Sequence, residues 1–220
     1  MEKLELLKNR HSVRQFSEEK VKDEDKAVLK VLVQKLNKEH DLNMQIFFDE
    51  PSAFSTSMAH YGKFENCNNY IALVGQKEDG EKLGFYGEEL LLKIYELGMA
   101  GCWVALTYGK GKVKISKEKG ESLHLVIGFG YGKNKGNVHK SKTVDQIIKK
   151  GTIVPEYANS GIEACLLAPT AMNQQKFEIS FVDNEPIINK KGIGFYTDID
   201  LGIVKYHLEL ITGHKTNRNY

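Results

Sequence analysis

The chain has 220 residues, 41% hydrophobic and 27% charged, and its 31 basic and 29 acidic side chains leave a formal net charge of +2. A chain of this length buries roughly 70% of its extended surface, so a full core forms without disulfides or metal, and the composition is that of an ordinary globular protein. Bases interleaved with acids argue against a nucleic-acid groove, and no stretch approaches membrane-spanning length.

Residues 2–9 predict a first helix, with Leu4, Leu6 and Leu7 apolar. A turn from Arg10 to Phe16 follows. Ser17 or Asp23 then suits the cap of a second helix, whose Val28, Leu29, Leu32, Val33 and Leu36 recur at helical spacing. Met44–Phe48 and Asn69–Gly75 read as short strands rich in β-branched and aromatic residues. Glu88–Gly98 predicts a helix closed by the glycines at 98 and 101. Leu123–Phe129 reads as a buried strand, and Gly130–Lys142 as a Gly- and Lys-rich loop. A helix over Ser160–Leu167, a strand over Phe177–Val182 and a last helix over Asp198–Ile211 complete the pattern. No low-complexity linker divides the chain, which favours one domain.

The order helix, strand, Gly-Phe-Tyr, helix occurs twice, with Gly84-Phe85-Tyr86 and Gly194-Phe195-Tyr196 as the recurring triplets. A real repeat predicts two halves related by a pseudo-twofold axis, like a dimer fused into one polypeptide. Chance recurrence of short helix–strand patterns is the bland alternative.

Arg10-His11-Ser12-Val13-Arg14 puts two guanidinium forks, a hydroxyl and an imidazole into five residues at a turn. Arginine forks and turn N–H groups suit phosphate, although a solvated basic turn has the same composition. In Ala168-Pro169-Thr170-Ala171-Met172-Asn173-Gln174-Gln175, Pro169 stops a helix and small residues let the backbone approach a ligand. Thr170, Asn173 and Gln175 offer hydroxyl and amide groups suited to a planar, polar partner, or to an ordinary helix-ending turn.

These two stretches carry a resemblance. The first resembles the Arg-Arg/His-Ser-x-Arg/Lys-x-Phe signature of the FMN-dependent nitroreductase family, and the second its Ala-Pro-Ser-x-x-Asn-x-Gln signature. Thr170 replaces Ser and Lys176 stands where Pro is usual. Leu97–Val104 is similar to the family's Leu-Gly-Leu-Gly-x-x-Trp stretch, Val126–Tyr131 to its Ile-Gly-Tyr strand, and Lys140-Ser141-Lys142 to its later Lys-x-Arg phosphate contact. The departure is one of order: the Pro169–Gln175 element lies in the second half of the chain rather than a few tens of residues after the first motif.

The resemblance implies an α+β fold, a nitroreductase-like three-layer sandwich whose central, mainly antiparallel sheet is flanked by helices. It implies a single domain over residues 1–220, with half-repeats of approximately 1–150 and 151–220 in the variant branch that fuses two halves. That arrangement leaves one FMN per chain, with Arg10, Ser12, Arg14, Lys140 and Lys142 on the phosphate and ribityl chain. Thr170, Asn173 and Gln175, presented after Pro169, contact the ring and ribityl; backbone near Gly101 approaches the flavin N5, and His11 packs nearby. The implied activity is ping-pong hydride transfer from NADH or NADPH to a nitroaromatic, quinone or related acceptor, with no protein nucleophile, because the flavin carries the chemistry.

Competing patterns are weak. Gly128-Phe129-Gly130-Tyr131-Gly132-Lys133 misses both the dinucleotide and the Walker patterns. The seven histidines share no ligand spacing with Cys67, Cys102 and Cys165, so neither a metal site nor a disulfide framework is expected. Cys102 reads as a packed thiol. No apolar leader precedes the first helix, which points to the reducing cytoplasm. A pseudo-dimeric monomer with room for further dimerisation is expected. The rival from another class is a flavin-binding or regulatory protein of the same fold without turnover.

Overall fold

Asn69–Gly75 reads Asn-Tyr-Ile-Ala-Leu-Val-Gly, and in the computed structural model, which describes residues 2–220, it is a strand (β2) buried at every position. A continuous apolar run of this kind suits a strand covered on both faces. It is central to a four-stranded antiparallel sheet with β1 (Asn43–Phe47), β3 (Ala100–Val104) and β4 (Ser122–Gly130), in the order β1-β2-β4-β3. Architecture and composition together are α+β, as expected.

The chain forms two compact units, each built from separated segments. One comprises residues 10–79 and 89–138 and contains this sheet. Its core joins Val13, Phe16, Phe54, Phe64, Tyr70 and Val126, with aromatic rings in direct contact, Phe54 to Phe64 at 4.8 Å and Phe47 to Tyr70 at 4.9 Å. Helix α2 (Asp23–His40) turns Leu29, Val33 and Leu36 inward, while Val28 stays 44% exposed. The expected cap is absent: Lys22 holds the N-cap position without a side-chain bond. Asp23, Glu24 and Asp25 sit in the first turn instead, where the positive end of the helix favours them. A short helix, α3 (Ser57–Tyr61), is capped by Thr56, whose hydroxyl accepts from the Ala59 amide.

The other unit comprises residues 2–9, 80–88 and 139–220. It holds α1 (Lys3–Asn9), the first part of α4 (Gly80–Glu96), α5 (Val144–Ile147), α6 (Asn159–Leu167), α7 (Thr197–Thr212) and the hairpin of β5 (Phe177–Val182) with β6 (Glu185–Lys190). The hairpin turns through Asp183 and Asn184, at φ 50° and 66°. Positive φ at both central residues matches the right-handed strand twist, and Asp and Asn adopt it at low cost.

Helix α4 begins at Gly80 rather than at the expected Glu88. Gly84 within it is a packing site against α7. A Cβ at Gly84 would lie 2.2 Å from the Ile199 carbonyl oxygen, and one at Gly202 would lie 1.9 Å from that of Glu81. The backbones of α4 and α7 therefore touch. This also separates the two Gly-Phe-Tyr triplets: Gly84-Phe85-Tyr86 lies inside α4, whereas Gly194-Phe195-Tyr196 precedes α7.

Candidate functional site

The stretch Arg10–Phe16 meets the outer edge of β3 at Gly101 and continues past Glu65 and Gly132. Ser12 forms a parallel bridge with Gly101, and the Val13 amide donates to the Gly101 carbonyl at 3.1 Å. Val13 and Phe16 point into the core at 1% exposure, which fixes the register and leaves Arg14 exposed. The Phe16 amide donates to Glu65 O and the Glu65 amide to Arg14 O, each at 3.0 Å. Tyr95 from α4 donates its hydroxyl to the His11 carbonyl. Gly136 closes over the stretch, since a Cβ there would meet His11 Cβ at 2.8 Å.

Arg10 is buried at 3% exposure, unlike a residue of a solvated basic turn, and His11 and Ser12 are half-buried. The Ser12 hydroxyl bonds to the Cys102 thiol. Burial raises that thiol's pKa, while Arg14, the Ser12 bond and Arg10 oppose the rise, so both guanidinium groups project positive potential onto the edge of β3. Cys102 is buried and free, as a packed thiol should be. Arg14 lies with its guanidinium carbon 6.0 Å from the Phe64 ring centre and forms no ion pair among the described residues. Two arginines, a hydroxyl and no neutralising carboxylate on Arg14 make a donor set that fits a phosphate.

Gly101 has a packing role of its own. A Cβ there would sit 2.6 Å from Leu91 Cδ1 and 3.0 Å from the Gly128 carbonyl. The strand β3, which sequence periodicity did not reveal, thus carries glycine at 101 because helix α4 and β4 press on it there.

In the other unit, α6 stops at Leu167, and Ala168 adopts the extended backbone required before Pro169. The Thr170 hydroxyl accepts from the Gln175 amide at 3.0 Å, and a single turn over Ala171–Asn173 follows. Met172, Asn173 and Gln175 have φ of 51°, 53° and 44°. Left-handed backbone costs a non-glycine residue about 1–2 kcal/mol, so this loop must be held by its surroundings.

The predicted side chains do much of the holding. Asn173 Nδ2 donates to the Lys140 carbonyl at 2.7 Å. Gln175 is buried at 1% exposure. Its Oε1 accepts from the Lys142 amide at 2.7 Å, and its Nε2 donates to Leu166 O at 3.1 Å. Lys142 Nζ donates to the Gln175 carbonyl at 2.5 Å; burial lowers its pKa, helped by Lys191 and Lys176. Residues 139–142 are therefore clasped to the loop, with His139 Nε2 2.9 Å and Ser141 Oγ 3.0 Å from Leu166 O.

Asp200, in the first turn of α7, was not singled out by sequence. Its carboxylate accepts from the Ala171 amide at 2.8 Å and from Gln174 Nε2 at 2.7 Å. Burial pushes its pKa up to about 6 against the lowering effect of those two bonds. Among the described residues no cluster of metal-ligating side chains occurs, and no helix is long and apolar enough to cross a membrane.

No curated protein matches the chain. Among solved structures it is similar to a "putative nitroreductase" from Thermotoga maritima, at 24% identity and TM-score 0.69, covering 96% of this chain and 83% of that one. It is also similar to a "putative nitroreductase in complex with FMN" from Desulfovibrio desulfuricans, at 12% identity and TM-score 0.53, covering 70% of this chain and 99% of that one. A third, described as "Putative NADH dehydrogenase/NAD(P)H nitroreductase" from Parabacteroides distasonis, gives 18% identity and TM-score 0.52 over 67% of this chain and 97% of that one. At these identities the likeness establishes the fold. The family model described as "Putative TM nitroreductase" matches residues 2–212, nearly the whole chain, and the protein belongs to that nitroreductase family.

Proposed function

We propose that the protein is an FMN-dependent oxidoreductase that takes electrons from NADH or NADPH and delivers them to a nitroaromatic, quinone or related acceptor. The observation that carries this reading is the positive edge of β3. Arg10, Ser12 and Arg14 converge there on Cys102, and Arg14 has no carboxylate partner among the described residues. Membership of the nitroreductase family supports it.

In this reading Arg10, Ser12 and Arg14 hold the phosphate and ribityl end, His11 packs beside them, and Gly101 offers backbone. Lys140, Lys142, Pro169, Thr170, Asn173 and Gln175 are the proposed contacts of the second unit. There Gln175 and Lys142 act chiefly by fixing the loop, whereas the Thr170 hydroxyl hydrogen and Asn173 Oδ1 remain to meet a ligand. When bound, the flavin supplies two-electron transfer between a nicotinamide and an acceptor, and the protein binds, orients and excludes water. The chain is read as one pseudo-dimeric domain carrying one flavin.

The test is direct. Purified protein is titrated with FMN and assayed for NADH and NADPH oxidation with menadione or a nitrofuran. Yellow protein with one FMN per chain and acceptor-dependent turnover is expected. Bound FMN that neither nicotinamide bleaches anaerobically would favour the binder without turnover, and failure to take up FMN defeats the proposal.

A further inference from the structure

We infer that Asp200 is a positioning residue that holds the loop 170–175 in its ligand-ready form; this rests on the reading of that loop as a flavin contact. Three of its residues, Met172, Asn173 and Gln175, are left-handed without being glycine. Such backbone persists only where neighbours over-determine it. Met172 supplies little packing, because the residue is 87% exposed.

The restraint comes from α7. Asp200 is 6% exposed and lies in the first turn, where the unpaired amides of the helix end favour a carboxylate. One carboxylate oxygen takes the Ala171 amide at the start of the turn, and the other takes Gln174 Nε2 just after it. The two bonds bracket Met172 and Asn173. Gln174 is itself fixed, since its Nε2 also donates to the Phe195 carbonyl at 2.7 Å. Gly194 leaves room for it, because a Cβ there would lie 2.3 Å from Gln174 Oε1. With both ends tied, the Thr170 hydroxyl and the Asn173 amide are presented in one geometry. Asp200 itself need touch no ligand.

The experiment compares wild type, Asp200→Ala and Asp200→Asn for FMN affinity, by quenching of flavin fluorescence, and for hydrogen exchange of residues 168–176, with β2 as the internal control. Asp200→Ala should weaken FMN by about tenfold, the effect of losing a charge-assisted bond, and release exchange protection in the loop while β2 stays protected. Asp200→Asn keeps an oxygen for the Ala171 amide and loses the acceptor for Gln174, so it should recover part of both effects. Unchanged FMN affinity in Asp200→Ala, or loop protection equal to wild type, overturns the inference. Loss of protection in β2 as well as the loop would show a general structural role and overturns it too. Wild-type protein that binds no FMN defeats the flavin reading itself, and the exchange data then judge the loop restraint alone.

Discussion

His207 Nε2 and Glu88 Oε1 lie 2.9 Å apart with both side chains fully buried, and His207 Nδ1 stands 2.9 Å from the Ala164 carbonyl. Both ring nitrogens are thus engaged, one by α6 and one by α4, so a single imidazole ties three helices of one unit. Removing either member takes this bond from the other at full burial. His207→Ala should therefore cost about 1–3 kcal/mol of stability in urea denaturation, the range for losing a buried hydrogen bond, and His207→Ala with Glu88→Ala should cost less than the sum of the single changes. Strict additivity would show that the two side chains do not act as a pair.

Arg14 carries the next prediction. Arg14→Ala should weaken FMN binding by about 1.5–3 kcal/mol, the range for a hydrogen bond to a charged group, with little change in melting temperature, because the side chain is exposed. Flavin retention equal to wild type would remove Arg14 from the site.

Two glycines on α7 and its end should respond differently. Gly202→Ala forces a methyl against the Glu81 carbonyl at 1.9 Å, backbone that cannot yield cheaply. A loss of about 3 kcal/mol, the upper range for overpacking, is expected. Gly213 closes α7 at φ 74° with nothing within 4 Å of a Cβ. Its substitution by Ala should cost only the left-handed penalty of about 1 kcal/mol. Equal losses in thermal or urea unfolding would contradict the close approach of α4 and α7.

Asp200 also makes a pH prediction. Its pKa is pushed from 3.8 up to about 6 by burial. Between those values the folded state keeps a proton that the unfolded state releases, so stability declines as pH rises and levels off above about 6. Relative to Asp200→Asn, wild type should lose about 2 kcal/mol between pH 4.5 and 7, at 1.36 kcal/mol per unit. Urea midpoints of both proteins across that range measure the difference, and a constant gap would refute the raised pKa.

Much of this was legible in the chain. β2 and β5 fall where their apolar runs end, and α6 and α7 begin within a residue of their expected starts, because periodicity and burial agree there. β3 and β6 were not legible. Ala-Gly-Cys-Trp-Val has too few large apolar residues, and Glu-Pro-Ile-Ile-Asn-Lys carries a proline and polar ends. The first turns of α4 were missed, because the reason for their glycines lies in α7, far along the sequence. Arg10, Ser12 and Arg14 were visible as a motif, yet Arg10's burial and the Cys102 contact depend on the pairing with β3. Asp200 was invisible, since nothing local marks a helix-start aspartate as the anchor of a loop 29 residues away in sequence.

The seating of Arg10–Phe16 beside β3 has a consequence for aggregation. An uncovered strand edge is a template on which a second chain can grow a sheet. Here the same short segment covers that border at Gly101 and presents an exposed cationic side chain, Arg14, beside it. Variation in this segment is therefore constrained twice, once by the proposed phosphate contact and once by the need to keep neighbouring molecules from adding strands.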